Sequence, residues 1–391
     1  MTNAKNANPL SPENAGADTA QFVRNVVVKG LALFLIANLL FAFWYPMEGL
    51  GRISGYNRLF PGRQRLPYGE NPSQAYNLSL YNLEAMFASH ELDGAAKADD
   101  EYRVILIGDS SVWGFLLPVE DTLSASLDAA SIHLPDGRRV RAYNLGYPVM
   151  SLTKDLLILS YAKQYEPDMI IWPLTLESFP YDKQLFPPLL QNNPGAVEEL
   201  NQIYGLTLAQ AENGLSSSSF AERTIVGSRR ALADLIRLQA YGVLWGATGI
   251  DQDIPKTYTP RIEDFAKDDS FHNLSAPDLN ENDLAFDVLA AGVAMAEPTP
   301  VLIINEPIFI SQGENSEIRY NFFYPRWAYD DYRQMILTQS IANQWYYRDL
   351  WDIIPGNEFT NSAVHLSASG TQQLSMYIIE AILETAQQAS R

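Results

Sequence analysis

The sequence has no cysteine. That excludes disulfides, thiolate metal sites and a cysteine nucleophile. Histidine is scarce as well, with only His90, His133, His272 and His365. No two of them stand at metal-ligand spacing, so neither a zinc site nor any other cofactor is expected. Positive charge is in deficit: 27 Lys and Arg face 46 Asp and Glu, a formal net charge of −19. A nucleic-acid binder carries a basic face, so that class is excluded, and a polyanion as the bulk partner is disfavoured. Apolar residues are not lacking. At 47% of 391 residues they are ample for a sizeable core, in one large domain or two ordinary ones.

Residues 1–21 are polar and aperiodic and read as a disordered tail. Residues 22–46 read as a transmembrane anchor. The run Val26 to Tyr45 is 20 residues long, which at ~1.5 Å each gives roughly 30 Å, enough for one span. Lys29 can snorkel near one end, and Trp44 with Tyr45 suits an interface at the other. Asn38 falls within the span. No small-residue cleavage site follows, so the segment reads as an uncleaved anchor rather than a removed signal peptide. A buried core helix would share this composition. Arg24 and Lys29 stand on one side, and Arg52, Arg58, Arg63 and Arg65 on the other. The positive-inside count therefore does not favour a cytoplasmic N-terminus. Residues 47–100 read as a stalk packing on the domain that follows.

From 101 the pattern alternates. Val104 to Ile107 is a β-branched apolar run with no room for a helix, and reads as a buried strand. Gly108-Asp109-Ser110-Ser111 follows at once, then a helical pattern over 116–130. Strands over 140–145 and 168–174 enclose a helix over 153–164. After residue 180 the alternation stops. Residues 181–280 read as a helical insertion, with helices over 195–212 and 220–245; Arg229, Arg230 and Arg237 on the second either face an anionic substrate or pair with carboxylates. The alternation resumes over 281–391: helix 283–296, strand 300–304, helix 328–345, strand 348–351, then a last helix begun by a Ser369/Gln372 capping box. Strands alternating with helices predict an α/β fold, a three-layer α/β/α sandwich around a mostly parallel sheet. The core is thus 101–180 with 281–391.

Strand, tight turn with a serine, helix: this order lifts a hydroxyl to the carboxyl end of a strand, where open α/β sheets place ligands. A plain turn and helix cap would read the same way. The second feature is His365, in a loop before the last helix. Imidazole titrates near neutrality and can take a serine's proton. Both ends can converge on one edge of a parallel sheet.

Gly108-Asp109-Ser110, Asn144-Leu145-Gly146 and His365-Leu366 with Gly370 resemble the motif blocks of the SGNH, or GDSL-type, hydrolase superfamily, over about 102–180 and 283–388. The resemblance implies an SGNH/flavodoxin-like fold, Ser110 as nucleophile and His365 as base. It places Asn144, Gly146, Val149 and Thr175 at oxyanion or substrate positions. Val149 stands where the family usually has glycine, and Pro173-Leu174-Thr175-Leu176-Glu177 lacks the family's asparagine. Ser362 occupies the place of the family's aspartate, which leaves Asn361, Asp352 or Asp349 to orient His365. The anchor adds a likeness to the D-alanyl transfer and glycan O-acetylation proteins. It implies a cell-membrane, single-pass protein with an extracytoplasmic domain. Its expected partners are an acylated glycan or small acyl ester and a membrane-bound O-acyltransferase. Two functions follow as expectations: a serine esterase or O-acyltransferase, or a weakly active or inactive SGNH-fold module that binds a glycan or that acyltransferase. The aromatic stretch 319–327 suits stacking on sugar rings or packing on the core.

Overall fold

The computed structural model describes residues 12–51, 53–63, 83–94, 96–208, 219–277 and 279–389. Their contacts divide into two units, Met1–Leu50 with Ser218–Arg237 and Gly51–Ser217 with Leu238–Arg391.

The larger unit is built on five strands: β1 (Glu101–Gly108), β2 (Arg139–Gly146), β3 (Met169–Leu174), β4 (Val301–Asn305) and β5 (Tyr346–Asp349). All pair in parallel, in the order β2-β1-β3-β4-β5. This is the flavodoxin-like doubly wound order, with its switch point between β1 and β3. Side chains alternate across each strand and so feed two cores. Ile105, Ile107, Ile170, Trp172 and Ile303 pack with the helices Leu152–Ala162, Phe286–Ala296 and Arg326–Ala342. Val104, Leu106, Ile171, Leu302 and Ile304 pack on the other face with the helices Leu123–Ala129 and Ala368–Ala389. Both faces are covered, as parallel sheets require.

Pro173 lies in the central strand β3, where proline cannot donate to a ladder. The β1–β3 ladder ends at Leu106 opposite Ile171, two residues before it. The sheet therefore loosens at its carboxyl edge at the switch point, beneath the Ser110 turn.

Several elements differ from the sequence reading. The last strand is Tyr346–Asp349 rather than 348–351, because its register sets Leu302 against Tyr346 and Asn305 against Asp349. The last helix is capped by Ser367, whose Oγ accepts the Gly370 N–H at 3.0 Å, not by Ser369. The helix expected over 220–245 runs Arg229–Thr248. Thr224 and Ser228 bond to nearby carbonyls and divert the preceding backbone into turns.

In the smaller unit, Pro12–Trp44 is one α-helix. Its portion Thr19–Trp44, 26 residues, is long and apolar enough to cross a membrane by length and composition, and 11% of its most apolar window is buried. Asn38 and Ala42 are buried on this otherwise largely exposed helix; Asn38 Nδ2 donates to Phe34 O at 2.9 Å and Oδ1 accepts the Val226 N–H at 3.2 Å.

Candidate active site

Ser110 opens a helix of only four residues, Ser110–Trp113, at the end of β1. Gly108 turns the chain with φ +152°; a Cβ there would stand 2.7 Å from Val112 Cγ2. Asp109 then caps the helix, its Oδ1 accepting the Ser111 N–H at 2.7 Å. Gly146, at the end of β2, lies against the same helix so closely that a Cβ would meet Trp113 N at 2.3 Å. No other residue fits there. The turn is thus wedged between two strand ends and cannot shift without moving the sheet.

Phe359 to Leu366 forms the loop that brings in the histidine. Thr360 N–H and Oγ both donate to His365 O, at 2.8 and 3.1 Å. The His365 ring then joins two partners. Nε2 lies 2.8 Å from Ser110 Oγ, and Nδ1 lies 2.9 Å from Asn361 Oδ1. An amide oxygen can only accept, so Nδ1 carries the proton and Nε2 presents its lone pair to the serine hydroxyl. This is the tautomer a general base needs. Phe115 covers the ring with centroids 4.8 Å apart. Burial pulls the imidazole below its ordinary pKa, opposed by the Asp109 carboxylate.

The other candidates for orienting His365 are engaged elsewhere. Asp349 accepts Arg333 at 2.7 Å and Asn305 Nδ2 at 2.8 Å. Asp352 is exposed. Of the oxyanion and substrate candidates, Asn144 is buried and spends its Oδ1 on the Gly146 N–H at 2.9 Å, so that donor is occupied. Val149 adopts φ +77°, the left-handed shape that glycine takes with ease and a β-branched residue does not. Thr175 is fully buried, its hydroxyl against the phenols of Tyr324 and Tyr329 in the interior. The structure therefore brings Ser110, His365 and Asn361 into one line and leaves Thr175, Asp349 and Asp352 out of it.

Three ionisable groups beneath the turn, Lys154, Asp155 and Glu306, escaped the sequence reading. Lys154 is wholly buried. Its ammonium donates to Gly108 O at 2.7 Å and Tyr147 O at 2.6 Å and forms an ion pair with Asp155 Oδ1 at 2.8 Å. Gly108 precedes the serine turn and Tyr147 starts the Val149 loop, so one ammonium ties both loops together. Asp155 also accepts Trp172 Nε1 at 3.1 Å. Glu306, just after β4, accepts Ser111 Oγ at 2.5 Å. Burial, then the nearby Asp109 carboxylate, push its carboxyl well above the ordinary range. Ser111 is thereby committed to Glu306, whereas Ser110 faces His365. The signal for Lys154 was a lone cation in the apolar run Leu152–Leu159.

A second titratable cluster lies apart from this line. His272, at φ +46°, sets Nδ1 2.7 Å from Asp182 and Nε2 3.2 Å from Glu177, and Glu177 also pairs with Lys183 at 2.9 Å. Despite burial, the two carboxylates hold the imidazole above its ordinary pKa. The ring lines a cavity of about 260 Å³ with Tyr181, Phe271 and Asp283.

Fold and site together define a doubly wound α/β protein with a serine–histidine–asparagine line at its switch point. No family model and no curated protein matches the chain. Among solved structures it is similar to a GDSL-like lipase from Bacteroides thetaiotaomicron, at 11% identity over 78% of this chain and 98% of that one, TM-score 0.38. It is also similar to a carbohydrate acetylesterase family member from Sinorhizobium meliloti (11%, 73% and 99%, 0.32) and to an inhibitor-bound aryl esterase of M. smegmatis (12%, 72% and 99%, 0.30). At these values no activity carries over from them.

Proposed function

We propose that this chain is a membrane-anchored serine esterase or O-acyltransferase of the SGNH type, acting on acyl esters of cell-surface glycans. The observation that supports it most is the line Ser110 Oγ–His365 Nε2, 2.8 Å, and His365 Nδ1–Asn361 Oδ1, 2.9 Å. In this reading Ser110 Oγ attacks the ester carbonyl carbon while its proton passes to His365 Nε2. The carbonyl oxygen becomes an oxyanion. When it collapses, the C–O bond to the alcohol breaks and His365 returns the proton to the leaving oxygen, leaving an acyl-serine. Water or an acceptor hydroxyl then attacks the acyl carbon while giving its proton to His365, the bond to Ser110 Oγ breaks, and His365 returns the proton to that oxygen. The Val149 N–H makes no backbone hydrogen bond among the described residues and is the oxyanion donor in this scheme. A missing second donor costs ~100- to 1000-fold in turnover.

Asn361 favours a second reading, a weakly active or inactive module that binds a glycan or a partner membrane acyltransferase. An amide orients the ring but brings no charge to stabilise the imidazolium. A serine-directed fluorophosphonate probe separates the two. An enzyme labels at one serine; Ser110→Ala abolishes labelling and Ser111→Ala keeps most of it. If wild type stays unlabelled, or the two variants behave in reverse, the esterase assignment to Ser110 goes.

A further inference from the structure

We propose that residues 219–228 are a membrane-interface contact, lying at the level where the helix Thr19–Trp44 leaves the hydrocarbon, with phospholipid headgroups as their partner. The inference rests on reading that helix as an anchor and concerns where the rest of its unit sits. Asn38 precedes Trp44 by six residues (44 − 38), about 9 Å along a helix axis. The whole 26-residue stretch is about 39 Å long against a hydrocarbon core of about 30 Å, so centring it leaves about 4–5 Å outside at each end. Asn38 is then at or just inside the hydrocarbon boundary. Its Oδ1 accepts the Val226 N–H, which holds Val226 at the same depth.

Irregular backbone is tolerated at that depth only when its polar groups are satisfied. Several polar groups of this segment are satisfied within it, and the Val226 N–H by Asn38. Thr224 Oγ donates to Ala221 O and accepts the Gly227 N–H; Ser228 N–H goes to Thr224 O and Ser228 Oγ to Glu222 O. Arg223 N–H goes to Ser219 O, and Glu222 takes both the N–H and the hydroxyl of Ser219. Two large apolar side chains stand outward, Phe220 at 55% and Val226 at 49% exposure, beside the exposed Ser219, Ala221 and the Glu222 carboxylate. Cations edge the same segment. The Arg223 guanidinium sits 5.0 Å over the Tyr45 ring, at the helix end where aromatic residues mark an interface. Arg229 and Arg230 follow, both exposed. Apolar side chains toward the acyl chains and guanidinium groups toward phosphates match a headgroup layer.

The absence of cysteine makes the test direct. Leu31→Cys, Phe220→Cys, Val226→Cys and Asp136→Cys variants of the full chain are each labelled with an environment-sensitive fluorophore. They are placed in phosphatidylcholine–phosphatidylglycerol nanodiscs and quenched by lipids carrying a nitroxide near the headgroup. The expected result is loss of fluorescence at Phe220 and Val226 well beyond that at Asp136, with Leu31 quenched by nitroxides deep in the acyl chain. If Leu31 is quenched but Phe220 and Val226 stay at the Asp136 background, the anchor stands and this inference is overturned. If Leu31 itself is not quenched, the anchor reading falls and takes the inference with it. Both test side chains are exposed, so either folded variant suffices.

Discussion

On the proposed esterase reading, Asn361 orients His365 where a triad carries a carboxylate, and that one atom type limits the chemistry. Its Oδ1 fixes the tautomer of His365 at 2.9 Å, while a positive charge on the ring would meet no carboxylate at Nδ1, only the field of Asp109. Asn361→Asp should therefore raise turnover of a small acyl ester, by about tenfold or more, since the reverse change costs serine proteases ~10⁴. It should also move the pH profile. Burial lowers the His365 pKa, so the acid limb of kcat/KM in wild type should lie below the ordinary 6.5 of imidazole. A carboxylate at 361 favours the imidazolium and should shift that limb upward. Unchanged turnover together with an unmoved limb would mean that the ring's environment is not set by residue 361. The line Ser110, His365 was legible in the sequence because both residues end short motifs at element boundaries. The choice among Asn361, Asp349 and Asp352 was not, because all three lie within sixteen positions of His365 (365 − 349) and only the Arg333 and Asn305 contacts show that Asp349 is spoken for.

At the scale of elements, β-branched runs marked the strands well, and the helix boundaries poorly. Side-chain bonds such as those of Thr224 and Ser228 compete with helix locally and leave no periodic trace. The aromatic stretch 319–327 was ambiguous for a similar reason. In the fold Tyr320 and Tyr324 are buried, and Arg319 spends its guanidinium on the carbonyls of Asp268, Asn321, Phe322 and Phe323. Most of the stretch thus serves packing, and Phe322 is its exposed ring. The clasp formed by His272 is the element whose behaviour should depend on pH. It joins residues following β3, Glu177 and Asp182, to the Phe271–Leu274 turn. Its pKa is raised in the folded protein. The stabilisation is therefore fully present below the unfolded value of about 6.5 and is lost as pH rises through the higher folded value. His272→Gln should destabilise by about 1.5–3 kcal/mol at pH near 6, the scale of a hydrogen bond to a charged group, and by clearly less at pH near 9. Urea unfolding at both pH values checks this; equal losses would mean that shape rather than charge holds the turn.

For the whole molecule the proposed anchor raises the question of which side of a membrane the α/β unit faces. A helix long and apolar enough to span was legible by length and apolarity alone, whereas the orientation of the proposed anchor was not, because arginines flank both ends. We expect the full chain to remain with membranes through an alkaline carbonate wash. Protease added to intact spheroplasts should digest the α/β unit if, as proposed, it is extracytoplasmic. Protection there, with digestion only after lysis, would reverse the topology and remove surface glycans as substrates.

Lys154 and Asp155 carry a consequence for how this sequence can change over time. Removing either partner strands a buried charge, and losing the ammonium also strands the carbonyls of Gly108 and Tyr147, a cost of ~3–5 kcal/mol. That is a large share of the ~5–15 kcal/mol that keeps a domain folded. A single substitution at either position leads downhill, while replacing both by apolar residues of like volume need not. The two positions are therefore a historical lock: the pair is inherited together or exchanged together, and the loop geometry around Ser110 is frozen with it.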